Sequence, residues 1–524
     1  MSTLLMVAAP ILIIWVIQRY LDFRRTARDV GNFPGPRMLF PPAAVVSRIL
    51  PRIRGITAGW QRETVTGFKE FEEYGWEAFA HVGAWPRPRA TIYLADPVAI
   101  KEVTTYRARF PKPVQLYDVL SFFGRNIVAS EGEEWKKYRK IASPAFSERN
   151  NKLVWDEAVL VMQGLFDDLW KGRSEIAIEN VAEITIPTAL FVISSAGFGR
   201  RLSWSSDGGL PSGHRLTFKD AMQVVSEGVI SKLVVPRWAM GLTPYFSKVR
   251  IAYDELHQYM EEMIRDRRNS ETKEERYDLL SSLIDASGDG DPDSSLTDSQ
   301  LLGNVFIFML AGHETAAHTL SFCFALLALH PAEQERLYDE IQRISPDPSK
   351  PPTYNQMSLF VYALAVLYET LRLAPAVVSI PKESAEDTSL VVTSIAGEKQ
   401  SIPLLKGTDI VIYTTGLHAN PRYWPEPDAF KPERFLGDWP RDAFIPFSAG
   451  PRACIGRRFF ETEGVAALVM LVSQYTIEIK EEPDFAKESF SARKERIMQS
   501  KPGLTTTPVR VPLVFKRRSG STSQ

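Results

Sequence analysis

The chain has 524 residues, 44% of them hydrophobic and 24% charged. This is the composition of a globular protein with a large core, and it excludes a disordered, collagen-like or low-complexity chain. Lys and Arg total 62 against 63 Asp and Glu, a formal net charge of −1, so nothing marks the chain as a nucleic-acid binder. Two cysteines, Cys323 and Cys454, cannot build a disulfide framework and point to a reducing compartment.

The first segment reads as a membrane anchor. Residues Met1 to Gln18 carry no charged side chain, and Leu4 to Ile17 are apolar apart from the break at Pro10. About 18 residues at ~1.5 Å each reach ~27 Å, close to the hydrocarbon thickness of a bilayer. Arg19, Arg24, Arg25 and Arg28 follow, against only Asp22 and Asp29, which orients everything after residue 18 to the cytoplasm. A cleaved signal peptide fits worse: no basic residue precedes the apolar run, and Trp15, Val16 and Ile17 stand where a small-residue cleavage site belongs. The other reading of the run is a buried core helix. The chain also lacks any Asn-x-Ser/Thr sequon, in keeping with a body that never enters the lumen.

Residues 19–37 form a basic segment ending in Phe33-Pro34-Gly35-Pro36, a stiff hinge that no helix can cross. From 38 to 516 the pattern predicts one large, mainly helical body with minor β structure. Stretches of 3.6-residue period run around 151–170, 218–235, 250–268, 298–329 and 331–344, and β-like stretches lie near 89–95 and 389–412. Ser287 to Ser295 reads as a surface loop, and 517–524 as a disordered tail.

Three places break these patterns with chemistry. Thr297-Asp-Ser-Gln300 forms a capping box ahead of the apolar run Val305 to Leu310; Ala311-Gly312-His313-Glu314-Thr315 follows. His313 and His318 are five residues apart, and five steps of ~100° turn the second ring away from the first, against a zinc pair. An acid and a hydroxyl inside an apolar helix suit proton relay in a buried pocket, or a purely structural role. Next, Glu369-Thr-Leu-Arg372 places opposite charges at i and i+3, and Phe430-Lys-Pro-Glu-Arg434-Phe435 adds another arginine. Last, Cys454 lies in Phe447-Ser-Ala-Gly450-Pro-Arg452-Ala-Cys454-Ile-Gly456, a loop leading straight into a helical run from Arg457. Neighbouring arginines and a helix start favour its thiolate, and the glycines let a bulky planar group approach the backbone. Cys323, among Phe322, Phe324 and Leu326, reads as an ordinary buried cysteine.

In order and spacing these elements resemble the cytochrome P450 family of haem-thiolate monooxygenases. Trp135-Lys-Lys-Tyr-Arg139 also matches that family's Trp-x-x-x-Arg. The anchor and Pro-Gly-Pro segment are similar to those of microsomal members, the C-terminal third resembles fungal ones, and the resemblance spans residues 33 to about 515. It implies the P450 fold, a single large haem domain behind a transmembrane anchor, with haem b (iron protoporphyrin IX) as cofactor. Cys454 would be the axial thiolate ligand, favouring O–O cleavage. Phe447 would pack near the sulfur, and Gly456 and Ala311 would leave room for the ring. Arg452, Trp135 and Arg139 would meet the propionates; Lys382, where the family often has Arg or His, would do so as a point charge. Glu314 and Thr315 would deliver protons during oxygen activation, although Ala316 replaces a frequent second hydroxyl. Glu369, Arg372 and Arg434 would form a structural ion-pair network. Phe308, Val377 and Val378 fall where the family lines its substrate pocket, and their apolar character suits a terpenoid, fatty acyl or polyketide-like substrate.

The chain carries no dinucleotide loop and no flavin segment. The resemblance therefore implies a separate NADPH-dependent flavoprotein reductase, docking on Lys136, Lys137, Lys140, Arg457 and Arg458. It implies a single-pass protein of the endoplasmic reticulum membrane with a cytoplasmic catalytic body, serving secondary metabolism. Two other readings stand beside monooxygenation: a reductase-independent haem-thiolate isomerase or dehydratase, and a non-catalytic haem-binding protein.

Overall fold

The computed structural model describes residues 2–42, 44, 46–47, 50–59, 67–205, 209–269, 278–287, 295–347 and 350–518. Most of the expected loop at 287–295 and of the tail at 517–524 lies outside these residues. The chain divides into two compact units, each discontinuous in sequence. One holds Met1–Pro113, Arg372–Ala429 and Pro440–Cys454; the other holds Val114–Leu371, Phe430–Trp439 and Ile455–Gln524. The division follows from strand pairing between segments some 300 residues apart, Thr91 with Asp409 for example.

The first unit is built on a five-stranded sheet in the order Arg37–Met38, Ala78–Gly83, Arg89–Leu94, Asp409–Tyr413, Ser379–Glu383. Ala78–Gly83 is buried along its whole length, so it shows none of the in-out alternation that marks a half-exposed strand. A hairpin, Thr388–Thr393 with Lys399–Leu404, turns at Gly397 in the left-handed region. Asp96 ties hairpin and helix together. One carboxylate oxygen caps the helix Pro97–Thr105 by accepting from Val98 and Ala99, and the other accepts from the Thr393 amide at 2.7 Å.

The N-terminal helix runs from Ser2 to Asp29, through Pro10 and well past Gln18. Among the described residues, no single helix is long and apolar enough to cross a membrane. The segment after this helix is docked rather than free. Phe33 is buried, the Pro34 and Pro36 carbonyls accept from Ala80 and Val82, and Arg37 donates to the carbonyls of Phe33 and Ala80. Gly35 makes the docking possible: at φ +149° a Cβ there would sit 2.4 Å from the Ala80 carbonyl oxygen.

The second unit is mainly helical. The expected helices form as Glu148–Gly164, Phe218–Val234, Pro244–Asn269, Asp298–Leu329 and Pro331–Ile344, joined by Gly132–Ala142, Ala182–Val192 and Arg457–Gln474. Asp298–Leu329 is the buried axis. The Thr297–Gln300 capping box starts it, Ala182–Val192 packs along it, and Gly303 admits the Gly124 carbonyl, which a Cβ would meet at 2.5 Å. Asn304 then accepts from the Ile127 amide at 3.0 Å, pinning residues 124–127 to this helix. The strand Leu513–Arg517 pairs between Glu175–Ile178 and Tyr475–Ile479. Arg517, the first residue of the expected tail, is thus held in a sheet by its ladder to Tyr475.

Gly35 and Gly75 separate two costs of a side chain. Gly75 caps Lys69–Tyr74 at φ +73° with open space around it, so Gly75→Ala should cost about 1 kcal/mol of backbone strain. Gly35→Ala must also displace a strand carbonyl and should cost about 3 kcal/mol or more. Denaturant midpoints of the two variants check the ranking.

Candidate active site

The cysteine loop belongs to the first unit. Its amide end is closed by the Cys454 N–H donating to the Phe447 carbonyl at 2.8 Å. Ser448 and Gly450 both take left-handed conformations, and at Gly450 a Cβ would fall 2.2 Å from the Thr104 carbonyl oxygen. The loop can therefore lie against the helix Pro97–Thr105 only with glycine at 450. Cys454 is exposed, Phe447 and Arg452 are half-buried. A free cysteine is ordinarily a buried hydrophobe. Cys323 is that case: fully buried, its thiol pushed up to about 12 by burial. An exposed thiol in a rigidly turned loop is the arrangement of a ligand, and it fits a haem iron.

In the same unit the segment before the loop is clamped from within. Arg372, 2% exposed, donates to the carbonyls of His418, Pro427 and Ala429 at 2.7–3.0 Å and lies over the Trp424 ring. Trp424 donates to the Ala443 carbonyl, and the Ile445 amide donates to His418 Nε2. Lys382 is buried on the strand Ser379–Glu383, Val377 is 41% exposed and Val378 half-buried.

In the second unit Glu369, fully buried, accepts from the Lys431 amide at 2.9 Å and pairs with Arg434 at 3.4 Å. These bonds tie the helix Val361–Leu373 to the Pro-Glu-Arg-Phe turn. Two residues missed by the sequence reading, Tyr368 and Glu461, meet an arginine that reads there as docking charge: Arg457 bridges the Glu461 carboxylate and the Tyr368 hydroxyl, and Tyr368 donates to Glu461. No signal in the primary structure brings Tyr368 to this pair. Gly456 is the N-cap residue of Arg457–Gln474.

From Gly303 to Leu329 the long helix is buried at every residue except Ala311, Gly312 and Thr315. At i, i+1 and i+4 these share one face and stay partly exposed, and Gly312 also makes room for Ile193, which a Cβ there would meet at 3.1 Å. The Thr315 hydroxyl donates to the Ala311 carbonyl at 2.9 Å, leaving its oxygen lone pairs to accept a proton donor. Phe308 is 9% exposed and packs against Phe146, which makes it core more than lining. Trp135 and Arg139 lie one turn apart on Gly132–Ala142, the first buried and the second half-buried.

The polar residues of this helix diverge. His313 Nδ1 sits 2.9 Å from the Met309 carbonyl, so it carries the proton, and Nε2 faces the Ser226 hydroxyl at 3.4 Å. His318 Nδ1 lies 2.7 Å from the Thr505 hydroxyl. Among the described residues no three His, Cys, Asp or Glu side chains gather as a metal site. Burial pushes the Glu314 carboxyl up to about 7, against the lowering hydrogen bond from Thr505. Burial pushes His313 down to about 4, and His318 likewise, with His313 and Lys501 adding to the latter.

The cytochrome P450 family model matches residues 58–504. Cytochrome P450 monooxygenase 124 of Postia placenta is 49% identical over 99% of this chain and all of that protein. A cytochrome P450 monooxygenase of Arthrobotrys oligospora is 28% identical over 75% of this chain and 76% of its own. The crystal structure of the cytochrome P450DA heme domain superposes with a TM-score of 0.73 at 23% identity, covering 93% of this chain and 98% of that one. The chain belongs to the cytochrome P450 family of oxygen-incorporating oxidoreductases.

Two tests follow. Arg372→Met takes the donor from three carbonyls, one buried and two half-buried, and should cost on the order of 3 kcal/mol, read as a lower unfolding midpoint and poor haem retention. The second concerns pH. Glu314 titrates near 7 in the folded chain against an ordinary 4.5, so its contribution to stability is complete below about pH 4.5 and is lost as pH rises through 7. The two histidines, lowered to about 4, act oppositely: theirs is present above about 6.5 and lost as pH falls through 4. Glu314→Gln should therefore flatten the fall in melting temperature between about pH 5 and 7.5, leaving the acid limb in place.

Proposed function

We propose that the protein binds haem b through Cys454 and inserts one oxygen atom from O2 into an apolar small molecule, with electrons from NADPH delivered by a separate flavoprotein reductase. The observation that carries this reading is the exposed Cys454 thiol, presented by a loop whose turn at Gly450 admits no side chain. When bound, haem supplies the redox centre at which oxygen is activated. The chain's own residues do the rest. Arg452, Trp135, Arg139 and Lys382 would hold the propionates of the bound haem. Ala311 and Gly312 keep the helix face open, while Glu314 and Thr315 hold and pass the protons. The names of the relatives support oxygen insertion over reductase-independent rearrangement or simple haem carriage. Val377 and Val378 suit a terpenoid, fatty acyl or polyketide-like substrate, and a role in secondary metabolism accords with this.

The reading also places the protein in the endoplasmic reticulum membrane by its N-terminal helix, with the catalytic body cytoplasmic. Ile11 to Ile14, Val16 and Ile17 are 51–61% exposed, apolar surface that water disfavours and lipid accepts. Trp15 meets Trp85, itself 40% exposed, edge-on at 5.4 Å, so the apolar surface continues beyond the helix.

Two experiments test the proposal. In microsomes co-expressing a reductase, a panel of terpenoids, fatty acids and polyketides should yield a product one oxygen heavier. Its formation should require NADPH and vanish in Cys454→Ala; product without NADPH would overturn the reading. For the reductase face, Lys137 donates to the Ser295 carbonyl and to Gln300, so its charge serves the helix cap. Lys136 and Lys140 are exposed. Reversing both to Glu should slow NADPH-driven turnover severalfold and spare peroxide-driven turnover, whereas equal loss in both assays would remove these lysines from docking.

A further inference from the structure

Glu314 sits at one end of a chain of hydrogen-bonding groups that the proton-delivery role alone does not require. Its Oε1 lies 3.4 Å from the Thr505 hydroxyl, and that hydroxyl lies 2.7 Å from His318 Nδ1. Its other oxygen, Oε2, is buried without a hydrogen-bond partner among the described residues. His318 stands four residues beyond Glu314 on the same helix, 5% exposed, while Thr505 comes from the turn between the strands Ser500–Pro502 and Thr506–Pro508. Two elements thus converge on a single hydroxyl.

A hydroxyl has one proton to donate. Thr505 can give it to Glu314 while accepting from His318 Nδ1–H, or give it to His318 while accepting from a protonated Glu314. The two patterns differ by one proton moved along the line. We infer that Thr505 and His318 are positioning residues that recharge Glu314 with protons, an inference that rests on the proton-delivery role proposed for Glu314. In the step itself, the Nδ1–H bond of protonated His318 breaks as its proton joins Thr505 Oγ1. The former Thr505 proton forms an O–H bond on Glu314. The imidazolium becomes neutral imidazole and the carboxylate becomes a carboxylic acid, so charge is neutralised inside the protein. Water supplies the proton that reaches His318.

The direction is downhill. Burial holds Glu314 near 7 and His318 near 4, so a proton placed on the imidazole passes to the carboxylate. The charged and titratable groups around the pair act the same way: His313 on the same helix and Lys501 on the strand Ser500–Pro502 both disfavour charge on His318. His313 takes no part in the line, being turned to Met309 and Ser226.

The test is the infrared carboxylic-acid band of Glu314 in the full-length holoenzyme, identified by its loss in Glu314→Gln and followed against pH. The wild-type band should titrate near pH 7. Thr505→Val removes the hydrogen bond that favours the carboxylate and should raise the midpoint by about one pH unit; Thr505→Ser should restore it. His318→Phe should raise it similarly, because the Thr505 hydroxyl is no longer held toward Glu314, with His318→Gln, which keeps an N–H donor, falling between. The double variant Thr505→Val, His318→Phe should move it no further than Thr505→Val alone. A midpoint indifferent to Thr505→Val, or one that answers Thr505→Val but neither His318 variant, overturns the inference. Reductase-driven turnover separates this from the role of Glu314 itself. Both chain variants should divert more NADPH electrons to hydrogen peroxide. Unchanged electron use in Glu314→Gln would instead refute proton delivery by Glu314, whatever the band shows.

Discussion

Buried charge at the end of one helix organises much of what leads to the cysteine. Glu369 and Arg372, three residues apart on Val361–Leu373, are 0% and 2% exposed. Neither is held by a simple pair. Glu369 serves a backbone amide and an arginine; Arg372 serves three backbone carbonyls. Burying an ion costs several kcal/mol unless its hydrogen-bonding capacity is met, and here irregular backbone meets it. That exchange works both ways. The stretch 418–431 has few carbonyls in regular structure, and a guanidinium with five donors meets three of them, at His418, Pro427 and Ala429.

A similar economy governs the long helix. Its sequence is apolar enough to be buried nearly all round, and it is. From Gly303 onward the exceptions are the three small or hydroxylic residues Ala311, Gly312 and Thr315, on one face. Burial does the chemistry as well as the folding: removing Glu314 from water raises its carboxyl into the physiological range, and the same removal drives His313 and His318 out of it. One helix thus carries an acid that can hold a proton near neutrality and two imidazoles that shed theirs.

Local rules read the regular elements well. Periodicity located the five long helices to within a few residues at most ends, and the capping box at Thr297–Gln300 formed as written because both partners lie within one turn. The start of Pro244–Asn269 came earlier than the pattern because its first turns are mixed in polarity. The N-terminal helix continues past the apolar run because charge, which ends such a run, does not end a helix; Gly31 and Asn32, both at positive φ, do so just ahead of the Pro-Gly-Pro segment. Lys137 read as surface charge and proved to be part of a cap, through a contact with Gln300 163 residues away in sequence.

By itself, the sequence determined the helices, the special loop at 447–456 and the chemical identity of Cys454, Glu314, Thr315, Glu369 and Arg372. Those follow from period, from glycine and proline, and from side-chain chemistry, all of which act over a few residues. Only the tertiary structure decided which groups meet: the division into two discontinuous units, the carbonyls that surround Arg372, the Thr104 carbonyl that forbids a side chain at Gly450, and the placing of Thr505 between Glu314 and His318. The reason is one of range. Hydrogen bonds and steric exclusion are short-ranged in space but indifferent to distance along the chain. Partners 191 or 187 residues apart, as Thr505 is from Glu314 and His318, leave no mark in any local window.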